Sequence, residues 1–425
     1  METLFFYIKK LIPTPLFRLV QPLYHYAFSF VGAILYRFPS KEITVIGVTG
    51  TKGKSTVVEL INAIFEGDER RTAVAGTIRF KIGEKSERNL YKMTMPGRFF
   101  VQKFLRDAVN AGCEVAIIEM TSEGVKQYRH KFIDLDALVF TNLSPEHIES
   151  HGSYEKYIAA KLELVSALEA SRKRPRYAVA NIDDEHGDLF LGEVEQQIPY
   201  SLSDLELHTL NKEDISLVIN GTTLRVPLVG LFNVYNTLAA LATARAFGVP
   251  LATAVKALGS LSPIKGRVER FKSPKGAEKK ITAVVDYAHT PDSLEKLYQA
   301  FSKETKICVL GNTGGGRDKW KRPEMGRIAS KYCDRVILTN EDPYDEDPEK
   351  IVTDMARGAE DESTIDIIMD RRKAIRVALE EAPDGSVVLI TGKGTDPYIM
   401  GPAGTKTPWS DAKVVQQEMN ALYGK

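Results

Sequence analysis

The sequence predicts an α/β protein: a P-loop central domain with a mostly parallel sheet, followed by a second, Rossmann-like α/β C-terminal domain. Three observations carry that expectation. An apolar strand, a glycine-rich turn and a periodic helix follow one another over residues 43–64. Apolar strands then alternate with helical segments, the pattern of a parallel sheet covered on both faces. Finally, 425 residues suffice for two or three domains, and Ser, Pro and Gly gather at 260–266. The expected division is a hydrophobic N-terminal segment, 1–40, a central domain, 41–264, and a C-terminal domain, 265–425.

Taken in order, the segment 1–40 comes first. Between Arg18 and Arg37 lie about 18 uncharged residues rich in Tyr, Phe and Leu, slightly short of the ~20 needed to span a membrane. Pro22 and His25 interrupt them, and basic residues flank both sides. Three readings stay open: helices packed on the next domain, an interfacial membrane anchor, or a span. No small-residue cleavage site follows, which argues against a signal peptide.

The next element is the phosphate cradle. Residues 43–48 form the strand, Gly50-Thr51-Lys52-Gly53-Lys54-Ser55-Thr56 the turn, and Val57, Leu60, Ile61 and Ile64 one face of the helix. Backbone N–H groups and the helix dipole attract phosphate, Lys54 adds a point charge, and the Ser55 hydroxyl suits Mg²⁺. Further strands are expected at 72–78, 115–120, 135–140 and 177–181, and helices at 97–111, 154–170 and 234–247. Residues 196–230 read as short antiparallel strands with an Asn220-Gly221 hairpin turn. Beyond 266, strands are expected at 281–286, 305–310, 335–339 and 386–391.

Composition excludes some classes. A formal net charge of +1 leaves no electrostatic footprint for nucleic acid. Cys113, Cys308 and Cys333 are widely spaced in sequence, which argues against a zinc ribbon or disulfide framework and fits a reducing cytoplasm.

Several residues carry chemistry. Glu119 ends a buried strand, at the sheet edge where ligands bind, and an acid there suits Mg²⁺. In 141–152, His147 and His151 stand four apart among Asn142, Glu146 and Glu149, as either a metal site or a polar loop. Lys161 interrupts an apolar helix, where a snorkelling lysine is the ordinary reading. Arg317, Lys319, Lys321 and Arg322 follow a triple glycine and suit carboxylate or phosphate, or a solvated turn.

Ordered motifs now resemble one family. GVTGTKGKST (47–56), AGTI (75–78), MTMPG (93–97), EMTSEG (119–124), the stretch 141–164, GLFNVYNTLAA (230–240), GRVE (266–269), VDYAHTPDSLEKL (285–297), GGGRDKWKRPEMG (314–326) and GKGTD (392–396) together resemble the Mur ligases of peptidoglycan synthesis, nearest the MurE type. The resemblance implies an ATP- and Mg²⁺-dependent ligase joining an amino acid to a muramyl-peptide carboxylate through an acyl phosphate. It implies that Ser55, Glu119, His147 and a carbamylated Lys161 surround metal, and that Gly50–Thr56, Asn236, Arg267 and Asp286 bind ATP. Thr94, Ser122 and Arg129 match positions near the muramyl peptide, and His289, Arg317, Asp342 and Asp396 fall at or beside the amino-acid end.

Departures bear on substrate choice. MurE-type enzymes that select diaminopimelate resemble Asp-Asn-Pro-Arg where this chain has Glu341-Asp342-Pro343-Tyr344, so the arginine that clamps the distal carboxylate is absent. Lysine or another diamine is the expectation, with Arg317 on the α-carboxylate. The family carries a uridine-nucleotide domain before residue 42. With the apolar segment 1–40 in its place, either a partner or the remaining domains bind the uridine nucleotide, or the acceptor is a different, lipid-linked one and residues 1–40 hold the cytoplasmic enzyme at the inner face of the membrane. Two related ligases of the same superfamily stay as alternatives, each with a motif that speaks against it. A folylpolyglutamate synthase is expected to end its loop Gly-Lys-Gly-Ser, and a MurT-type subunit to carry four zinc-binding cysteines. A membrane scaffold that has lost catalysis is opposed by Lys54, Ser55, Glu119, His147 and Lys161 occurring together.

Overall fold

Two twisted sheets, each with helices on both faces, organise a computed structural model that describes residues 14–146 and 148–424. The first sheet has eight strands: β1 (Thr44–Thr49), β2 (Thr72–Ala75), β3 (Arg79–Ile82), β4 (Lys85–Arg88), β5 (Val115–Glu119), β6 (Ala137–Phe140), β7 (Tyr177–Asn181) and β8 (Gln196–Tyr200), in the order β4-β3-β2-β5-β1-β6-β7-β8. From β2 to β8 across the sheet, neighbours run parallel, and β3 and β4 turn back antiparallel at one edge. The central strands are apolar throughout because helices cover both faces.

Two expectations change here. The strand expected over 72–78 ends at Ala75, and Gly76-Thr77-Ile78 turns the chain into β3. The strand 196–200 joins the first sheet parallel to β7, so the antiparallel layer is smaller than expected. That layer is β9 (Leu207–Leu210), β10 (Ile215–Ile219) and β11 (Thr222–Val226). Asn220 and Gly221 link its last two strands with φ of 48° and 68°, the left-handed pair that a two-residue type I′ hairpin requires.

The second sheet comprises β12 (Glu269–Lys272), β13 (Thr282–Val285), β14 (Lys306–Leu310), β15 (Arg335–Leu338), β16 (Ile365–Ile367) and β17 (Val387–Ile390), ordered β12-β13-β17-β14-β15-β16. All pairs except β12–β13 are parallel. The last helix, Asp411–Tyr423, is pinned by a fully buried pair in which Arg371 donates to Asp411 at 2.7 and 2.8 Å.

The cysteine expectation is corrected. Cys308 on β14 and Cys333 form a disulfide, with Cα atoms 6.2 Å apart, and Cys113 stays free and buried. The helix Lys321–Tyr332 between them carries the chain back beside the strand it left, so 25 residues of separation become contact. The cysteines therefore lend no support to a reducing compartment.

The helix Thr14–Leu35 packs on the helix Arg98–Asn110. Phe28 meets Phe99 edge-on at 5.7 Å, and the Ser29 hydroxyl donates to the Tyr128 carbonyl at 2.8 Å. The helix leaves Leu23, Val31, Ile34 and Leu35 exposed, while the half-exposed Tyr26 and Phe30 rest on Phe132. No helix among the described residues is long and apolar enough to cross a membrane, which removes the spanning reading from this helix. The remainder of segment 1–40 before Thr14 lies outside the described residues.

Candidate active site

Strand β1 lies between β5 and β6, and the register aligns Val48 with Glu119 and Thr49 with Phe140. The turn after β1 therefore opens at the same sheet edge as Glu119 and as Thr141-Asn142. The helix Lys54–Gly67 starts from Gly53, and the first-turn N–H groups of a helix have no intrahelical acceptor. Gly50 and Gly53 take φ of 138° and 84°. A Cβ at Gly50 would sit 1.9 Å from Thr141 Oγ1, and one at Gly53 would sit 2.3 Å from Asn236 Oδ1. Asn142 grips the turn from the far side: its carbonyl accepts from Thr51 N–H at 2.7 Å, and its side chain from Lys52 N–H at 2.9 Å.

Gly53→Ala is expected to cost about 1–3 kcal/mol of stability, through the left-handed backbone and the collision with Asn236. It is also expected to weaken ADP binding. Thermal melting and nucleotide titration of the variant check both, and an unchanged melting temperature would contradict the close fit.

The charges of the turn are arranged around its own carbonyls. Lys54 Nζ donates to the carbonyls of Gly50 and Thr51, both at 2.9 Å. Lys161, 1% exposed, donates to the Gly50 carbonyl at 2.6 Å. Burial pushes both lysines below the ordinary ammonium range, Lys161 far below, with Lys54 repelling it further. Tyr157 flanks them, its hydroxyl 2.9 Å from Thr51 Oγ1. Lys52 pairs with Glu146 at 2.9 Å.

Glu119 is buried and accepts from Thr77 N–H at 3.0 Å and from the Thr77 hydroxyl at 2.9 Å. From the second domain, Arg267 stacks on the Tyr287 ring at 4.6 Å and donates to Ser55 Oγ at 3.1 Å. Asp286 accepts from the N–H groups of Val268 and Ala288 at 2.8 and 2.7 Å, and burial raises its pKa. His289 Nδ1–H donates to the Tyr287 carbonyl at 2.7 Å, and burial pushes its pKa down to about 4.

These groups share a cavity of about 730 Å³ between the two sheets. It is lined by Thr51, Lys52, Gly53, Lys54, Ser55, Thr56, Thr94, Glu119, Asn236, Arg267, Asp286, His289, Arg317 and Asp396. Other expected residues lie elsewhere. Gly50, the first residue of the turn, and Lys161, which donates to its carbonyl, are not part of the lining. Ser122 is buried against His151, at 3.1 Å, and Arg129 is drawn to the Met95 carbonyl and to Gln127 at 2.6 Å. Asp342 is taken up by Lys92 and Lys393. His147 lies outside the described residues, and no group of three metal-ligating side chains forms among the described ones. His151 faces Ser122, and its expected grouping with His147, Glu146 and Glu149 depends on His147, outside the described residues.

The residues fit a magnesium nucleotide. The glycines admit an approach that a side chain would block, Lys54 rests on carbonyls that a phosphate would replace, and Ser55 and Glu119 offer hard oxygen donors. Sequence reasoning did not single out Thr77, Tyr157, Lys92 or Lys393 individually. Thr77, Tyr157 and Lys393 lie inside family motifs, whereas Lys92 carried no local signal.

His130, just beyond the helix Ser122–Lys126, is 2% exposed with neither ring nitrogen hydrogen-bonded. Burial pushes its pKa from 6.5 to about 3. The folded state therefore binds fewer protons than the unfolded chain between those values. Its contribution is complete above pH 6.5 and is lost as pH falls, by up to about 1.4 kcal/mol per pH unit. Urea titrations at pH 7 and pH 5 are expected to show a smaller loss for His130→Phe than for the parent chain.

Comparison with known proteins places the chain. Residues 48–244 match the model of the Mur ligase middle domain, and residues 266–394 that of the Mur ligase glutamate ligase domain. A UDP-N-acetylmuramyl-tripeptide synthetase of Roseiflexus is 35% identical over 442 residues, covering 97% of this chain and 85% of that protein. The chain belongs to the Mur ligase family. A UDP-N-acetylmuramoyl-L-alanyl-D-glutamate–2,6-diaminopimelate ligase of Synechococcus elongatus is 36% identical over 382 residues, 87% of this chain and 75% of its own. The solved structure of a ligase of that name superposes with a TM-score of 0.62 at 30% identity, covering 93% and 82% of the two chains. Mycobacterium tuberculosis folylpolyglutamate synthase superposes at 0.68 with 17% identity over 87% and 92%, which shows a shared fold alone. This Mur ligase is thus a MurE-like, ATP-dependent amide ligase, and its second α/β domain is the family's C-terminal one.

Proposed function

We propose that the enzyme adds a diamino acid, as the third residue, to a carboxylate of a muramyl dipeptide during peptidoglycan synthesis. The observation that carries this reading is a shared cavity: the phosphate turn Thr51–Thr56 forms one wall, and Arg317 and Asp396 belong to another. In this reading residues 41–264 form the ATP-binding unit and 265–425 the unit that presents the amino acid.

A carboxylate is a poor electrophile, so one oxygen must become a leaving group. That oxygen attacks the γ-phosphorus of ATP, ADP departs, and an acyl phosphate forms. The amine of the incoming amino acid attacks the acyl carbon, phosphate leaves, and the amine proton passes to solvent. Lys54 and the N–H groups of the turn disperse charge on the transferred phosphoryl group. Asn236, Arg267 and Asp286 hold the nucleotide, Arg267 acting across the domains. Thr94 touches the muramyl peptide, while Ser122 and Arg129 shape the wall behind it. Ser55, Glu119, His147 and Lys161 are the residues to hold Mg²⁺, which when bound polarises the phosphoryl oxygens. Burial lowers the Lys161 pKa and so favours the neutral amine; the nitrogen of that amine adds to CO₂ and loses a proton, giving a carbamate able to face a cation.

Mass-spectrometric ligation assays of single amino acids against UDP-linked and lipid-linked muramyl dipeptides test the reading. An adduct with lysine or diaminopimelate is expected; turnover with neutral amino acids only would reject the diamino acid. The reading places the enzyme in the cytoplasm, and the exposed apolar face of the helix Thr14–Leu35 favours contact with the inner membrane face. Failure of the full chain to sediment with anionic vesicles would remove that contact.

A further inference from the structure

Asp396 and Lys92, on the cavity wall, join the buried Asp342 and Lys393 behind them in a charge cluster whose lysines have no part in the steps above. Asp342, its side chain 2% exposed, accepts at Oδ1 from Lys393 Nζ and from the Met400 N–H, both at 2.8 Å, and at Oδ2 from Lys92. Lys92 Nζ also lies 3.3 Å from Asp396 Oδ2, with Lys393 Nζ 3.6 Å from the same oxygen. Two carboxylates and two ammonium groups thus balance in a nearly enclosed space.

The two lysines are not equivalent. Lys393 belongs to the same loop as Asp396, is fully buried and donates to the Tyr398 carbonyl at 2.6 Å. Lys92 arrives from the other domain, after β4, keeps 17% of its side chain exposed and lines the cavity. It takes φ of 53°, and Tyr344, whose ring centre is 5.9 Å from Lys92 Nζ, takes φ of 52°. Non-glycine residues in this region are strained, and such strain gathers at ligand clamps. Arg88 fastens the same segment independently, donating to the carbonyls of Thr395 at 2.8 Å and Asp396 at 3.1 Å. Lys92 can therefore leave the acids without parting the domains.

We propose that Lys92 is a specificity-determining residue whose ammonium holds, on Asp342 and Asp396, the place taken by the side-chain ammonium of the incoming amino acid. This rests on the diamino-acid reading above. Exchange of one ammonium for another leaves the buried carboxylates compensated. A neutral side chain that displaced Lys92 would leave them short of a cation, and an acidic one would add a third negative charge. Selectivity thus comes from the charge a competitor fails to supply.

The test uses the full chain with Lys92→Met, and with Lys92→Gln as a second variant should the first not fold. Removing the competing ammonium is expected to lower KM for lysine or diaminopimelate about five-fold. KM for ATP stays unchanged, KM for norleucine, a neutral analogue of lysine, falls less than that for lysine because it supplies no cation to the acids, and Lys92→Arg gives no gain. A merely structural lysine would instead raise KM for every amino acid. An unchanged or raised KM for the diamino acid in Lys92→Met would overturn the proposal. Should the parent chain ligate no diamino acid, the proposed function fails and the place-holder is judged by calorimetric binding of lysine without turnover. Tighter binding by Lys92→Met upholds it; equal, weaker or absent binding rejects it.

Discussion

Lys54→Met is expected to lower the ligation rate at least about a thousand-fold while leaving the chain folded. The substitution keeps an unbranched stem of similar length, so the helix Lys54–Gly67 keeps its start and its buried face. What disappears is the ammonium that bridges the Gly50 and Thr51 carbonyls. In the ligand-free enzyme those carbonyls lose one partner each. In the reaction the transferred phosphoryl group loses a cation placed where water is scarce, and a charge in such a setting is worth far more than in bulk. Single-turnover ADP formation checks this, with melting as the folding control. A loss confined to KM would mean that Lys54 binds nucleotide without aiding transfer.

Lys161→Ala is expected to abolish turnover, by at least about a hundred-fold, and to regain part of it with acetate or formate. Lys161 is enclosed, sits beside Lys54, and donates to the Gly50 carbonyl of the phosphate turn. As an ammonium it adds positive charge where Lys54 already repels it; as a carbamate it supplies an anion. A small carboxylate entering the space left by the side chain restores that anion, whereas it cannot restore a lost ammonium. Full activity of Lys161→Ala would remove the carbamate, and failure of rescue with an intact fold would leave Lys161 a purely packing role. Labelled bicarbonate taken up by the parent chain and not by Lys161→Ala gives a readout independent of turnover.

Residues 43–64 carried their meaning in the sequence because every part of a phosphate cradle is local: the strand, the two left-handed glycines, the helix start and the lysine follow without interruption. Glu119 was legible for a related reason, since a buried strand that ends in an acid places it at the ligand-binding edge of a parallel sheet. The hairpin at Asn220-Gly221 was legible from its dipeptide alone. Other features were not. Residues 196–200 read as part of an antiparallel layer and instead pair parallel with β7, because partner choice depends on which edge is open after the sheet is built. The bonding of Cys308 with Cys333 left no trace in their spacing.

By itself, then, the sequence determined the α/β class, the phosphate turn and the acid beside it, since these follow from local periodicity and from residue types at fixed offsets. Tertiary structure decided how the two domains share a cavity. Arg267 reaches Ser55 across 212 positions, and Lys92 reaches Asp342 across 250. No local pattern encodes such pairs. They form because folding brings a guanidinium against a hydroxyl and an ammonium against a carboxylate from two different sheets, and that choice exists once the chain has folded.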